Sequence, residues 1–461
     1  MASSPSRSEE PVRTKETLFS GIVLTLGAGG ALAIALLAGL GGTGTVVSPQ
    51  RRILFMGGAL LLSAALAASL RLGKDARTAI SVTLLSLVVA AYIGEFYVRW
   101  TTTHQFWSLG RSLGLSLDDR PRAEVVRDLR REGKNAWPVV HPNLFLDRGE
   151  SLGLIPLAGV SNATTVLCNE VGPHVVYRSD EHGFRNPPGA WSAADLQLAA
   201  IGDSFTLGMC VEDDQSAMAL LRRVYPRTLN LGMSGDGPLL ELATLKEFLP
   251  ELKPSRVLWM YFEGNDLTPN LDEERKSPML QRYLQEGTSQ NLVRRQEEVD
   301  AALRGWLTQQ YEHEARGNFP KHLPPGFWRD FLMLRTFRKS LNLLLPANLP
   351  QAHPIDPSLF RRVLEEAERT VSEWDGQLIL VYLPWQTRFS DQGARAELDQ
   401  AREKVLSVVR ELQIPLIDVE PAVEKKGGAT LYVRRPGGHF TPQGYRVVAD
   451  TILAALQPRA E

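Results

Sequence analysis

The chain has 461 residues, enough for a membrane part and one sizeable globular unit. Its 51 Lys and Arg residues balance 52 Asp and Glu residues, so no net charge points to a nucleic-acid partner. Two cysteines, Cys168 and Cys210, exclude a disulfide-rich scaffold and a four-thiolate zinc site. No cofactor or metal is expected either, since the sequence shows no phosphate-binding glycine loop and no His/Cys cluster with metal-ligand spacing.

Three uncharged apolar stretches occupy the first hundred residues. They span 18–40, 53–70 and 78–94, with 23, 18 and 17 residues. A helix needs about 20 apolar residues to cross the hydrocarbon core, and residues rich in Gly, Ala and Ser let such helices pack closely. We therefore expect residues 1–100 to form a membrane domain with three transmembrane helices. Buried helices of a soluble domain and a cleaved signal peptide are the alternatives.

Basic residues in the short loops predict the orientation of these helices. Six lie in the N-terminal tail and the second connector, and three lie in the first connector and after the third helix (Arg7, Arg13, Lys15, Arg71, Lys74, Arg77; Arg51, Arg52, Arg99). Because cytoplasmic loops carry the excess of Lys and Arg, we expect the N-terminal tail on the cytoplasmic side of the cytoplasmic membrane. The soluble part then lies on the periplasmic or extracellular side.

Residues 101–195 are interpreted as a connector followed by a strand-rich preamble. A short charged helix is predicted at 120–131, and strands are predicted in "TTVLCNEV" and "HVVYRSDEHGFRNPP". In the second segment Asp180 and His182 either form a turn or line a pocket, and the turn is the favoured interpretation.

From residue 196 onward apolar strands alternate with amphipathic helices. Five strands are predicted, at 196–201, 228–233, 255–262, 377–383 and 414–419. This alternation predicts an α/β fold with a parallel sheet, extending over 196–461. Residues 268–350 interrupt the alternation with charged helical segments, which predicts a helical insertion that is either a lid or substrate wall or only a surface elaboration.

Four candidate site residues fall at the ends of these elements. Ser204 follows the first strand in "GDSFTLG", and Gly235 follows the second in "NLGMSGDG". Asn265 follows the third strand in "GND", and His439 in "GGHFTPQG" precedes the last helix. Chemistry in parallel sheets lies at the carboxyl ends of the strands, so we expect these residues to converge on one pocket.

In these four blocks the chain resembles the SGNH (GDSL-type) hydrolase and acyltransferase superfamily, over residues 196–457. From "SDEHGFRNP" onward it also resembles bacterial membrane-anchored members. The resemblance implies a flavodoxin-like three-layer domain with a five-stranded parallel sheet. It also implies Ser204 as nucleophile, His439 as its base, and an oxyanion hole made by the N–H groups of Ser204 and Gly235 and the Asn265 amide.

Acyl transfer needs residue types of this kind. A serine hydroxyl is a poor nucleophile until a base takes its proton, and the tetrahedral oxyanion needs preorganised donors. Taken singly, Gly235 and Asn265 are also ordinary turn formers, and His439 is also an ordinary surface residue. Their joint occurrence beside Ser204 favours the catalytic interpretation.

One position departs from the superfamily. The aspartate that usually stands three residues before the histidine is replaced by Pro436. We expect the second ring nitrogen of His439 to bind a backbone carbonyl, which gives a Ser–His dyad, or else Asp418 at the end of the fifth strand.

The two cysteines have two open interpretations. On the outer side of the membrane Cys168 and Cys210 face an oxidising compartment, where a disulfide would brace the loop after Ser204. Two buried free cysteines are the alternative.

Together these observations predict a membrane-anchored serine esterase or O-acyl transferase. Its substrate is expected to be an acylated carbohydrate of the envelope or a secreted glycan, or a small ester, and its other partner is the lipid bilayer. The alternative is a catalytically degraded domain that serves as a glycan-binding or assembly component, for which the missing aspartate is the best support.

The predicted orientation can be tested with reporter fusions. Reporters joined after Thr103 and at the C-terminus should be active only as markers of the outer compartment, because the basic loops place both positions there. Activity only as cytoplasmic markers would contradict the predicted topology.

Overall fold

Three helices make up the N-terminal part of the chain. The computed structural model describes residues 10–39, 49–112, 118, 120–170, 172–192, 195–316, 331–332, 334, 357–433 and 438–457. Helix α1 spans Glu10–Gly39, α2 spans Pro49–Ser69 and α3 spans Lys74–Ser112. Position 436, where the expected aspartate is missing, lies outside the described residues.

Within the described residues, one helical segment is long and apolar enough to cross a membrane. It is Lys74–Trp100, with 27 residues. The apolar parts of the other two helices, Leu18–Ala33 and Met56–Ser69, are shorter. One membrane-crossing helix is thus supported by length and composition, whereas the other two predicted spans and their orientation stay predictions.

The preamble contains a small mixed sheet. Its elements are α4 (Arg122–Arg131), β1 (Ala136–Pro138), α5 (Gly149–Leu152), β2 (Thr164–Val166) and β3 (Val176–Arg178). Strand β2 lies between β1, to which it is parallel, and β3, to which it is antiparallel. The β2–β3 ladder extends to Cys168, whose carbonyl accepts from Val175 N–H at 2.8 Å. The helix and strands predicted here are confirmed.

Five parallel strands form the main sheet. They are β4 (Leu198–Gly202), β5 (Thr228–Asn230), β6 (Arg256–Phe262), β7 (Gln377–Leu383) and β8 (Leu416–Asp418). Their spatial order is β5-β4-β6-β7-β8, with every pair parallel. Counted from β4 this is the order 2-1-3-4-5 found in flavodoxin-like sheets. The five-stranded parallel sheet predicted from the alternation is confirmed.

Helices cover both faces of this sheet. Among the described residues, the further α-helices are α6 (Ser204–Leu207), α7 (Ala217–Arg222), α8 (Pro238–Phe248), α9 (Asp272–Glu274), α10 (Pro278–Gln281), α11 (Gln296–Arg316), α12 (Pro357–Ser372), α13 (Thr387–Ser390), α14 (Gln392–Glu411), α15 (Glu420–Lys426) and α16 (Pro442–Leu456). Side chains of β6 alternate between the two faces: Trp259 packs in one core with residues of α8 and α12, and Met260 packs in the other with α7 and α16. The result is a three-layer arrangement.

The first part of the predicted insertion belongs to the core. Leu280, Tyr283 and Leu303 are buried in the same apolar cluster as α8 and α12. The buried Lys246 ammonium donates to the Tyr283 carbonyl at 2.9 Å and pairs with Glu366 of α12 at 2.5 Å. Residues 268–316 are therefore more than a surface elaboration, because they complete one helical layer. Further along, the carbonyl of Leu332 accepts from the Tyr92 hydroxyl of α3 at 3.0 Å.

This packing makes Leu303 a structural residue, since its side chain is fully buried on α11. Replacing it with Ala should lower the free energy of unfolding by about 2–5 kcal/mol, the usual effect of a cavity of that size. Chemical denaturation of the full chain in detergent measures the change, and Gln309→Ala, at an exposed position of α11, is the matched control. Equal, small effects of both substitutions would mean that α11 does not contribute to the core.

Candidate active site

A short turn places Ser204 at the carboxyl edge of the sheet. Strand β4 ends at Gly202, and the Asp203 carboxylate accepts from Phe205 N–H at 2.9 Å, which caps α6. Ser204 is the first residue of α6 and its side chain is buried. Gly208 ends the helix with φ +78°, where a Cβ atom would lie 2.6 Å from Ser216 Cβ. The turn therefore allows little freedom around the serine.

His439 is held between a β-bridge and a helix cap. Tyr432 and Phe440 form the bridge, and the His439 carbonyl accepts from Val433 N–H at 2.9 Å. Immediately afterwards Thr441 Oγ1 accepts from Gly444 N–H at 3.2 Å and so caps α16. The imidazole is thereby presented from a restrained backbone.

A chain of hydrogen bonds joins the serine, the histidine and a carboxylate. Ser204 Oγ lies 2.8 Å from His439 Nε2, and Glu170 Oε1 lies 3.0 Å from His439 Nδ1. The other oxygen of Glu170 accepts from the backbone N–H of His439 at 3.2 Å. Because an ionised carboxylate only accepts, the ring proton belongs on Nδ1, which leaves Nε2 to accept the serine proton. This is the hydrogen-bond order of a Ser-His-acid triad.

The expected partner of His439 is thus corrected. The Glu170 carboxylate is bound to Nδ1, and among the described residues neither a backbone carbonyl nor Asp418 takes that place. Asp418 instead forms an ion pair with Arg402 of α14 and accepts from Glu420 N–H at 3.2 Å. Its carboxylate therefore binds groups of α14 and α15.

Sequence reasoning missed Glu170 because it lies in the preamble, outside the alternating strands and helices. It follows β2 at the end of the "TTVLCNE" segment, 34 residues before Ser204. One signal was available. Pairing of Cys168 with Cys210, which the structure contains as a disulfide, would have brought residues 169 and 170 beside the loop after Ser204.

The backbone donors expected to line an oxyanion hole are available to a ligand. Among the described residues, neither the Ser204 N–H nor the Gly235 N–H donates to another protein group. Gly235 has φ +88°, and a Cβ atom there would lie 2.9 Å from the Asn143 side chain, so the loop requires glycine. The Asn265 amide donates to Asp203 Oδ2 at 3.3 Å, which ties it to the turn that carries Ser204.

A small cavity lies beside Gly235. Its volume is about 110 Å³, and it is lined by Asn143, Leu146, Gly235, Pro269, Asn270, Glu273 and Glu274. Three segments meet here: the preamble, the loop after β5, and the start of the predicted insertion. The insertion therefore forms one wall of a cavity next to an expected oxyanion donor.

Two other polar residues of the preamble, Asp180 and His182, are not part of this hydrogen-bond chain. Asp180 Oδ1 accepts from the N–H groups of His182 and Phe184, each at 2.9 Å. Its second oxygen accepts from Asn186 at 2.8 Å and from the Trp191 indole at 2.7 Å. Asp180 thus organises a buried turn, as favoured from the sequence.

Several buried carboxyl groups lie near the turn that carries Ser204. Burial raises the pKa of Asp203 to about 6 and that of Glu274 to about 7, in spite of backbone N–H groups that donate to both. Burial and neighbouring carboxylates raise the pKa values of Asp236, Glu241 and Asp266 well above their usual range. These groups therefore keep protons at pH values where exposed carboxyls are ionised, which limits the negative charge near the expected oxyanion.

No protein-family model and no curated protein matches this chain. Among solved structures, similarity is found to a lipolytic protein of the G-D-S-L family from Desulfitobacterium hafniense, with 14% identity over 57% of this chain and 100% of that one and a TM-score of 0.31. LAE5, an α/β hydrolase from the Lake Arreo metagenome, shows 18% identity over 58% and 97%, with a TM-score of 0.33. An acetylxylan esterase from Geobacillus stearothermophilus shows 15% over 57% and 94%, with a TM-score of 0.32.

The raised pKa of Asp236 predicts a stability that depends on pH. The folded protein binds this proton more tightly than the unfolded chain does, so the protonated group stabilises the fold. This stabilisation is complete below pH 3.8, the ordinary pKa, and is lost as the pH rises toward the pKa of the folded state. The loss is about 1.4 kcal/mol per pH unit for each such group. Asp236→Asn should therefore flatten the fall in the free energy of unfolding above pH 4, with little change at pH 4.

Urea denaturation of the full chain between pH 4 and 8 measures this difference. Part of the fall should remain in Asp236→Asn, because Asp203 and Glu274, with pKa values of about 6 and 7, titrate in the same interval. Parallel curves for the variant and the wild type would show that Asp236 does not hold a proton.

Proposed function

We propose that the protein is a serine esterase, with Ser204 as nucleophile, His439 as general base and Glu170 as the carboxylate that orients and stabilises the imidazole. The observation that carries this proposal is the continuous hydrogen-bond chain from Ser204 Oγ through His439 to Glu170, with contacts of 2.8 and 3.0 Å. Nucleophile, base and orienting group are all within hydrogen-bond reach, as acyl transfer through serine requires.

The first half of the reaction uses each of these contacts. As Ser204 Oγ attacks the carbonyl carbon of the ester, its proton passes to His439 Nε2. The imidazolium that forms is stabilised by the buried Glu170 carboxylate. Collapse of the tetrahedral intermediate breaks the bond to the alcohol oxygen, which takes the proton from Nε2 and leaves the acyl group on Ser204.

The oxyanion would be stabilised by the N–H groups of Ser204 and Gly235, together with the Asn265 side-chain amide. Among the described residues neither backbone group has a protein acceptor, and Gly235 lets the loop come close to a substrate. One preorganised donor of this kind contributes on the order of 3 kcal/mol to transition-state stabilisation. The bond from Asn265 to Asp203 leaves its second amide hydrogen for the oxyanion.

The second half of the reaction decides between a hydrolase and an O-acyl transferase. His439 Nε2 removes the proton from water or from a sugar hydroxyl, whose oxygen then attacks the acyl carbon. Collapse of this second intermediate breaks the bond to Ser204 Oγ, which takes the proton back from Nε2. We propose an acylated carbohydrate as the substrate class, because amide and carboxyl groups of Asn143, Asn270 and Glu273 line the cavity beside Gly235 and suit hydroxyl groups.

We further propose that the N-terminal helices anchor this domain outside the cytoplasmic membrane. The support is the span Lys74–Trp100, the two further apolar stretches and the distribution of basic residues in the loops. The binding-component alternative is less favoured, because it depended on a missing carboxylate, and Glu170 supplies one from elsewhere in the chain.

The triad can be tested through Glu170. Glu170→Gln keeps the shape but removes the charge, so kcat for a chromogenic acetyl ester should fall by up to about 10⁴-fold. The acid limb of the pH–rate profile should move to lower pH, because the imidazolium loses its anion. Glu170→Asp should recover part of the activity.

Asp418→Asn is the matched control. It removes a carboxylate that is paired with Arg402, so turnover should stay close to that of the wild type. Ser204→Ala should abolish both turnover and labelling by a fluorophosphonate. A wild-type protein that is not labelled at Ser204, or a Glu170→Gln variant with unchanged kcat and pH profile, would contradict the proposal.

A further inference from the structure

The disulfide connects the two loops that carry the ends of the proposed triad. Cys168 and Cys210 are bonded, with their Cα atoms 5.3 Å apart. Cys168 lies two residues before Glu170 in the β2–β3 hairpin, and Cys210 lies six residues after Ser204. A covalent link therefore joins the carboxylate-bearing hairpin to the nucleophile loop.

The bond also lies directly against the histidine and its carboxylate. The sulfur of Cys210, a carboxylate oxygen of Glu170 and a ring nitrogen of His439 all lie within 4.8 Å of one another. Around the bond is a buried apolar cluster formed by Val139, Leu167, Cys168, Val175, Tyr177, Leu207, Met209 and Cys210. A change in the position of either cysteine would thus be transmitted directly to Glu170 and His439.

Among the described residues, the last backbone hydrogen bond of the β2–β3 ladder runs from Val175 N–H to the Cys168 carbonyl. The nucleophile loop is additionally restrained, since the Arg185 guanidinium donates to the Gly208 and Val211 carbonyls at 2.7 and 2.8 Å. On the hairpin side the disulfide is attached at this bond, two residues before Glu170.

We propose that the Cys168–Cys210 disulfide is a positioning element of the active site: it holds the Glu170 carboxylate against His439. This inference rests on the proposed function. The two cysteines take no part in the chemistry. They act through Glu170, so the loss of the bond should produce the same defect as the loss of the Glu170 charge.

Four proteins test this proposal: the wild type, Glu170→Gln, the double variant Cys168→Ala/Cys210→Ala, and the triple variant that combines them. The double variant should lose most of the kcat that Glu170→Gln loses, with the acid limb of its pH profile displaced in the same direction. The triple variant should match Glu170→Gln within about twofold, because both changes remove the same contribution.

A bond that only stabilises the fold would give another pattern. The folded double variant would then keep the kcat and pH profile of the wild type, or its loss would multiply with that of Glu170→Gln. Either result would overturn the proposal.

Reduction provides the same comparison without a substitution. Dithiothreitol transfers two electrons and two protons to the disulfide, leaving two thiols on the protein and a cyclic disulfide in the reagent. The chain contains only these two cysteines, so the reagent has a single target. Activity should fall on reduction and return on reoxidation, whereas the Ala/Ala variant should be insensitive, and this test holds even if that variant folds poorly.

A readout independent of turnover separates this inference from the proposed function. The titration of His439 can be followed by NMR of ¹³C-labelled histidine, with its signal among the eight histidines assigned through a His439→Gln variant. Loss of the disulfide should displace this titration in the same direction as Glu170→Gln. An unchanged titration would refute the positioning role, and a displaced titration in a protein without esterase activity would refute only the proposed reaction.

Discussion

The contact between Glu170 and His439 is the constraint on which the candidate site depends. A buried carboxylate is costly unless its oxygens are hydrogen-bonded, and here one oxygen binds the ring and the other binds the backbone N–H of the same histidine. This arrangement is possible only if the β2–β3 hairpin lies against the loop before α16. The preamble is therefore a part of the candidate site and not merely a connector.

The sheet supplies the other half of the arrangement. In a parallel sheet the loops after β4, β5 and β6 leave the same edge, so Ser204, Gly235 and Asn265 reach one region without any long excursion of the chain. Buried carboxyl groups below this edge hold protons more tightly than exposed ones do. A protonated carboxyl group adds a polar contact without adding a charge that would oppose an oxyanion.

Two segments outside the sheet, the preamble and α9, pack against the loop that contains Gly235. Asn143 of the preamble and Glu274 of α9 approach the loop around Gly235 from different directions, and the Glu274 carboxylate accepts from the N–H groups of Gly237 and Leu239 at 2.6 and 2.8 Å. These bonds satisfy N–H groups at the start of α8, which otherwise lack intrahelical acceptors. The described part of the insertion thus fixes the loop after β5 as well as lining the cavity.

The local sequence pattern was enough to predict the α/β class and the five strands. It was also enough to place the four candidate residues at the ends of elements (Ser204, Gly235, Asn265, His439). Both follow because strand periodicity and turn chemistry are properties of neighbouring residues. The partner of His439 could not be predicted in this way. Glu170 lies 269 residues away in sequence, and its side chain reaches the ring only because a hairpin of the preamble folds across the sheet edge. Asp418, which the end of the last strand suggested, is instead paired with Arg402. Which carboxylate meets an imidazole depends on packing between distant segments, and that was decided by the tertiary structure alone.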